Sequence, residues 1–250
     1  VLVHGSGNTS RTWEPVVARL ERPVLAVDLP GRRYRPADLT LGSLEASAGA
    51  VVSDVRAAGL GPIVLVGHSA GGLILPEVAA ELGSQVRHLV FVAGLIAAHG
   101  HRVIDTVDPA GTSGFDAQRL ALLAQWAGHT YAGLLPGEPP IPTHLALIDD
   151  SRLTGSIESL NLMFQTVSWS GVSPSVPRSF VRCLRDPIQP PAMQAGLIAN
   201  CGADEVFDID TTHTPAQSEP AQLAELLERV AARYDGHRAG PGRPPPEPTR

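Results

Sequence analysis

Ile63-Val-Leu-Val66-Gly67-His68-Ser69-Ala70-Gly71-Gly72 joins an apolar run to a helix-like segment through a serine set between glycines. Ile63–Val66 is short and continuously apolar, the pattern of a strand buried on both faces. Ala70–Leu82 reads as a helix that stops at Gly83, a plausible C-cap. A strand that passes at once into a helix must turn sharply, with the residue at the tip in a strained conformation. Glycines two positions to either side let neighbouring backbone approach closely. The stretch therefore reads as a G-x-S-x-G nucleophile elbow in the strand–turn–helix context that gives the motif meaning. Ser69 is expected to stand clear of the sheet above a helix N-terminus, where the helix dipole favours developing negative charge.

Further strands flank the elbow. Upstream lie Val1–His4, ending at Gly5-Ser6-Gly7, and Val24–Asp28, closed by the turn signal Pro30-Gly31. Leu44–Ala58 has helical spacing in Leu44, Ala48, Val51, Val52 and Val55, and ends at Gly59. Downstream lie strands Val86–Val92, Ser179–Leu184 and Glu205–Ile209, then an amphipathic closing helix over Pro220–Tyr234. This alternation predicts an α/β fold with a mainly parallel central sheet and helices on both faces.

Between the fourth and fifth strands, residues 95–177 show helical patches at Phe115–Ala127 and Ile157–Val167, separated by Pro and Gly clusters, and no strong strand. They read as a mostly helical lid inserted after the fourth visible strand. The core is then 1–94 with 178–235, the lid is 95–177, and the Pro/Gly/Arg tail 236–250 is expected to be disordered. The lid aromatics either form the lid's own core or line an apolar pocket. For the pocket the candidates are Trp126, Tyr131, Phe164 and Trp169, with His68 beside the nucleophile.

Composition excludes several functions. All 19 basic residues among the 250 are Arg. Without Lys there is no Schiff base, no covalent pyridoxal phosphate and no Walker phosphate loop. The net charge of −6 gives no electrostatic reason to bind nucleic acid. No apolar run approaches the ~20 residues that span a bilayer. Cys183 and Cys201 make no disulfide framework and fit reduced thiols of a cytoplasmic protein. His99 and His101 have the spacing of a metal pair but no carboxylate–histidine cluster to complete it. The expected partner is a small-molecule substrate alone, with no cofactor or metal, in a monomer or homodimer.

A nucleophilic serine needs a base, and the base needs an orienting acid, in the chain order Ser, Asp or Glu, His. His213 alone follows the sixth strand and precedes the closing helix. Asp186 follows the fifth strand, at the end where ligand sites of parallel sheets collect. Asp204, Asp208 and Asp210, near the sixth strand, are the other acid candidates. In enzymes built around such an elbow the loop after the first strand supplies half of an oxyanion hole, and the candidate donors here are the backbone N–H groups of Ser6, in the first glycine loop, and of Ala70.

With these residues in view the chain resembles the α/β-hydrolase superfamily. Within it, the chain is most similar to the branch of plant methylesterases, hydroxynitrile lyases and their actinobacterial relatives. The likeness is carried by Val1–Gly7 with Trp13, Asp28–Gly31, Gly67–Gly72, Cys183–Pro191 leading to Gln194, Thr212–Pro215, and then Glu219, Pro220 and Leu223. It covers residues 1–95 and 178–234. It implies Ser69, Asp186 and His213 as a triad, and the Ser6 and Ala70 amides as the oxyanion hole. Hydroxynitrile lyases of this branch carry a Lys just after the catalytic His; here that residue is Thr214, so cyanohydrin cleavage by that route is not expected. The expected activity is hydrolysis of a carboxylic ester of a small or medium, largely apolar substrate through an acyl-enzyme. The alternative is elimination or ring closure in secondary-metabolite tailoring at the same Ser–His site. A non-catalytic ligand-binding module is the third reading, against which the intact residues argue.

Overall fold

A computed structural model describes residues 1–32, 35–37, 42–106, 130–132, 157–159 and 161–235. Six strands form the central sheet: β1 (Leu2–Val3), β2 (Ala26–Val27), β3 (Ile63–His68), β4 (Val86–Val92), β5 (Arg178–Cys183) and β6 (Glu205–Ile209). Their order is β2-β1-β3-β4-β5-β6 and every pairing is parallel. Side chains of a strand alternate between faces, and here both faces are covered. Val3, Leu65, Leu89, Phe91 and Phe180 enter one core, while Leu2, Val66, Val90, Val92 and Val181 enter the other. That double burial is why the strands read as continuous apolar runs.

The first face is covered by α1 (Leu44–Ala57), α2 (Leu75–Leu82) and α3 (Pro191–Cys201). The second is covered by α4 (Pro220–Ala232), which packs Leu223, Leu226, Leu227 and Val230 beside Trp13 and Val16. Ser43 caps α1 by accepting the Ala46 N–H. Such a cap contributes about 0.5–2 kcal/mol.

Two expectations change, and one helix was not foreseen. The segment after the elbow is not one helix: Ser69–Ile74 is a 3₁₀ turn, and regular α-helix begins at Leu75. Pro76, which lacks an N–H, sits in the first turn of α2, where that donor is not needed. Helix α3 was not legible as periodicity, because among its residues only Gln194, Leu197 and Cys201 are buried. Its punctuation was present, with proline at the start and Gly202 at φ +59° closing the end. In the inserted region Ile157–Ser159 is a strand rather than helix, paired in parallel with Thr130–Ala132. Thr, Tyr and Ile favour that conformation. Among the described residues of the expected patch Ile157–Val167, only Asn161–Phe164 is α-helical. The expected helix at 115–127 and the tail 236–250 lie outside the described residues.

A polar cluster ties the end of α4 to the sheet at the N-terminal ends of its strands. The buried His88 ring meets the Tyr234 hydroxyl at 2.9 Å through Nδ1 and Ser179 Oγ at 2.7 Å through Nε2. Arg233 pairs with Glu205 across the same junction at 2.7 Å. Burial, and then the charge of Arg233, hold His88 down to about 4. Burial and the neighbouring His213 hold His68 down to about 3. Both rings are therefore neutral in the native protein at pH 6.5, where the unfolded chain already begins to bind their protons. Stability is full above that pH and falls as pH drops toward 4, by up to about 2.7 kcal/mol per pH unit from the two groups together. Urea unfolding midpoints measured from pH 7 to 4.5 should decline accordingly, and a flat profile would refute the assignment.

Candidate active site

Strand β3 delivers Ser69 at its C-terminal end with φ +49°, in the left-handed region. For a non-glycine residue this costs on the order of 1–3 kcal/mol and persists only where the surroundings enforce it. They do so here. The Leu95 N–H donates to the Ser69 carbonyl at 2.8 Å. Gly71 lies so close to the first strand that a Cβ there would stand 2.6 Å from the His4 carbonyl oxygen. A Cβ on Gly67 would stand 2.8 Å from the Gly71 carbonyl oxygen. The elbow therefore closes only with glycine at both positions.

Asp186 follows β5, with its carboxylate fully buried. Oδ1 accepts the N–H groups of Ile188 and Gln189 at 2.8 and 2.9 Å, and Oδ2 faces His213 Nδ1 at 2.7 Å. Facing an ionised carboxylate, Nδ1 carries the imidazole proton. Nε2 then presents a lone pair, and it lies 2.9 Å from Ser69 Oγ. The structure thus brings Ser69, His213 and Asp186 together. Asp208 and Asp210 instead pair with Arg182 and Arg185 on the surface, and Asp204 accepts the Arg178 backbone N–H.

Gln194 braces the acid loop. Its buried amide donates to the carbonyls of Cys183 and Gln189 at 2.8 and 2.7 Å, and accepts the Cys183 N–H at 3.1 Å. Sequence reasoning assigned it no role; a glutamine in the first turn of a helix gives no periodic signal.

His68 corrects one expectation. It does not face a substrate: it is 1% exposed, and its Nε2–H donates to the His213 carbonyl at 2.8 Å. It holds the base's backbone rather than a ligand. Trp169 belongs to the packing of the inserted region: its indole N–H donates to the Ala97 carbonyl and its ring lies 6.1 Å from that of Phe91. Phe164 packs on the same core. Trp126 and the Tyr131 side chain lie outside the described residues.

The cavity beside the elbow is mostly aliphatic instead. Leu29, Leu44, Leu73, Ile74 and Leu162 line it, together with Ala70 and the polar His4, Ser6, Arg32, Ser43 and Ser47. Gly5 abuts the nucleophile, since a Cβ on it would lie 2.8 Å from Ser69 Cβ. Ala70 occupies the second position of the 3₁₀ turn, where a backbone N–H has no acceptor within the helix. Ser6 and Ala70 thus both line the cavity, Ser6 next in the chain to Gly5 and Ala70 next to the nucleophile. His99 Nδ1 accepts the Trp169 N–H at 3.1 Å. Among the described residues no group of three or more His, Cys, Asp or Glu is placed to hold a metal ion.

A hydroxyl facing an imidazole lone pair, with a carboxylate behind the ring and amides nearby, has the parts needed to attack a carbonyl. The family model described as "Alpha/beta hydrolase family" matches residues 1–226. The Mycobacterium tuberculosis protein named Lipase LipV is 27% identical, covering 90% of each chain. The Oryza sativa subsp. indica protein named Probable esterase PIR7A is 29% identical, covering 94% of this chain and 97% of its own. The solved structure of an extracellular alpha/beta-hydrolase from a Paenibacillus species superposes with a TM-score of 0.70 at 18% identity, over 91% of this chain and 96% of its own.

Proposed function

The chain belongs to the alpha/beta hydrolase family and is a hydrolase, and from that premise we propose that it is a serine esterase working through an acyl-enzyme on Ser69. The observation that carries the proposal is the continuous relay Ser69 Oγ–His213 Nε2 at 2.9 Å and His213 Nδ1–Asp186 Oδ2 at 2.7 Å. His213 Nε2 takes the hydroxyl proton as Ser69 Oγ bonds to the ester carbonyl carbon. The Ser6 and Ala70 N–H groups hold the resulting oxyanion, each such donor lowering the barrier by about 2.7–4 kcal/mol. Collapse breaks the bond to the alcohol, which leaves with the proton from His213. Water then repeats the sequence on the acyl-enzyme and frees the acid. Asp186 keeps the imidazole in the required tautomer and stabilises its charged form. The aliphatic cavity beside the two amides supports a small or medium, largely apolar substrate.

Intact mass spectrometry after a fluorophosphonate probe, beside hydrolysis of a p-nitrophenyl ester series, tests this. One adduct on wild type, none on Ser69→Ala, and turnover of short apolar acyl esters are expected. Absence of an adduct on folded wild type would overturn the acyl-enzyme and leave elimination or ring closure at the same residues.

A further inference from the structure

We propose that His4 is a positioning residue for the oxyanion hole, acting by fixing the peptide unit between Gly5 and Ser6. The inference rests on the serine-esterase reading above and assigns a role to a residue outside its relay. His4 is 1% exposed, and both ring nitrogens have backbone partners. The Leu29 N–H donates to Nε2 at 3.2 Å, so Nε2 is the acceptor. Nδ1 must then carry the proton, and it donates to the Gly5 carbonyl at 2.9 Å. The tautomer is thus set by a backbone donor that has no alternative protonation state.

The Gly5 carbonyl and the Ser6 N–H belong to one planar unit. Among the described residues no peptide bond is cis. In a trans unit the N–H points opposite to the C=O. Anchoring the carbonyl on His4 therefore sets the direction of the amide that is offered to the oxyanion.

The Asn8 backbone N–H also reaches the Gly5 carbonyl, at 3.3 Å. The next peptide is held as well. Thr12 Oγ1–H donates to Asn8 Oδ1 at 2.8 Å, which orients the side-chain amide so that Nδ2–H donates to the Ser6 carbonyl at 3.0 Å. Ser6 is thereby braced on both sides. Gly7 at φ +68° lets the chain turn back within this clasp. Oxyanion donors act through preorganisation, and a misplacement of about 1 Å can cost ~100-fold in rate.

Two replacements of His4 separate positioning from packing. His4→Asn puts an amide nitrogen where Nδ1 stood and keeps the donor to Gly5. His4→Gln reaches the Leu29 N–H instead and loses that donor. Asn8→Asp removes the donor to Ser6 from a half-buried side chain and serves if His4→Gln does not fold. The readouts are kcat and KM on a p-nitrophenyl ester, and the affinity of a trifluoromethyl ketone, whose hemiketal adduct bears the oxyanion. For His4→Gln and Asn8→Asp, kcat should fall by about 10- to 100-fold with KM within about threefold. Affinity for the ketone should fall in parallel, and His4→Asn should recover most of the loss. Equal kcat losses in His4→Asn and His4→Gln, or ketone affinity unchanged while kcat falls, would overturn the positioning role. Failure of wild type to label with a fluorophosphonate would instead strike the underlying function, so the two failures are distinguishable.

Discussion

Ser69→Ala should lower kcat by about 10⁶-fold while leaving the melting temperature nearly unchanged. Alanine keeps the Cβ that already tolerates φ +49° at this position, so the elbow loses one oxygen atom and no backbone geometry. His213→Ala should cost about as much, and the double variant little more, because the two groups act as one unit in a single proton transfer. What remains is the stabilisation offered by the amide donors and by binding. Initial rates on an aryl ester at saturating concentration, with active-site titration of wild type for reference, measure all three. Multiplicative losses in the double variant would mean that the residues act in separate steps.

Asp186→Asn should lower kcat by about 10⁴-fold without loosening the loop. The direction follows from the hydrogen bonds around the carboxylate. Oδ1 is fixed as an acceptor by the Ile188 and Gln189 N–H groups, so the carboxamide oxygen must occupy that position. The amide nitrogen is then forced to face His213 Nδ1, where Oδ2 now lies at 2.7 Å. An N–H donor there makes Nδ1 the acceptor and moves the imidazole proton to Nε2, the nitrogen that must be bare to accept from Ser69. Asp186→Ala should also lower kcat steeply, but with added instability from two buried N–H groups left without a partner. A comparison of kcat and thermal unfolding in the two variants separates tautomer control from loop support. An Asp186→Asn variant within tenfold of wild type would show that the ring is oriented by something else.

The sheet and the meeting of Ser69, His213 and Asp186 were legible in the sequence because both obey short-range rules. Strands buried on two faces are written as apolar runs, and the elbow demands glycine at Gly67 and Gly71 for contacts only 2.6–2.8 Å away. Asp186 and His213 were found by their place after β5 and β6. What was not legible depends on packing between segments far apart in the chain. Helix α3 buries few residues and so has no apolar stripe. The break of the post-elbow helix into a 3₁₀ turn at Ser69–Ile74 reflects the crowding of Gly71 against the first strand. His68 looked like a ligand contact from its place beside the nucleophile, and its real partner is a carbonyl 145 residues away. The aliphatic part of the cavity wall forms because Leu44, Leu73 with Ile74, and Leu162 converge there from three elements, a convergence that no local pattern encodes.

Ser69 and His213 are 144 residues apart in the chain, yet they are joined by one hydrogen bond. The residues between them include three of the six strands, and the base hangs from the loop after the last one. Contacts of such sequence separation form late, because their loop-closure entropy must be met before they return anything. Turnover is therefore expected to report completed folding in this protein: a refolding chain should regain helix and compactness before the Ser69–His213 contact. Recovery of ester hydrolysis after dilution from denaturant should lag far-ultraviolet circular dichroism, and its rate would time the docking of the β5–β6 end of the sheet onto the elbow.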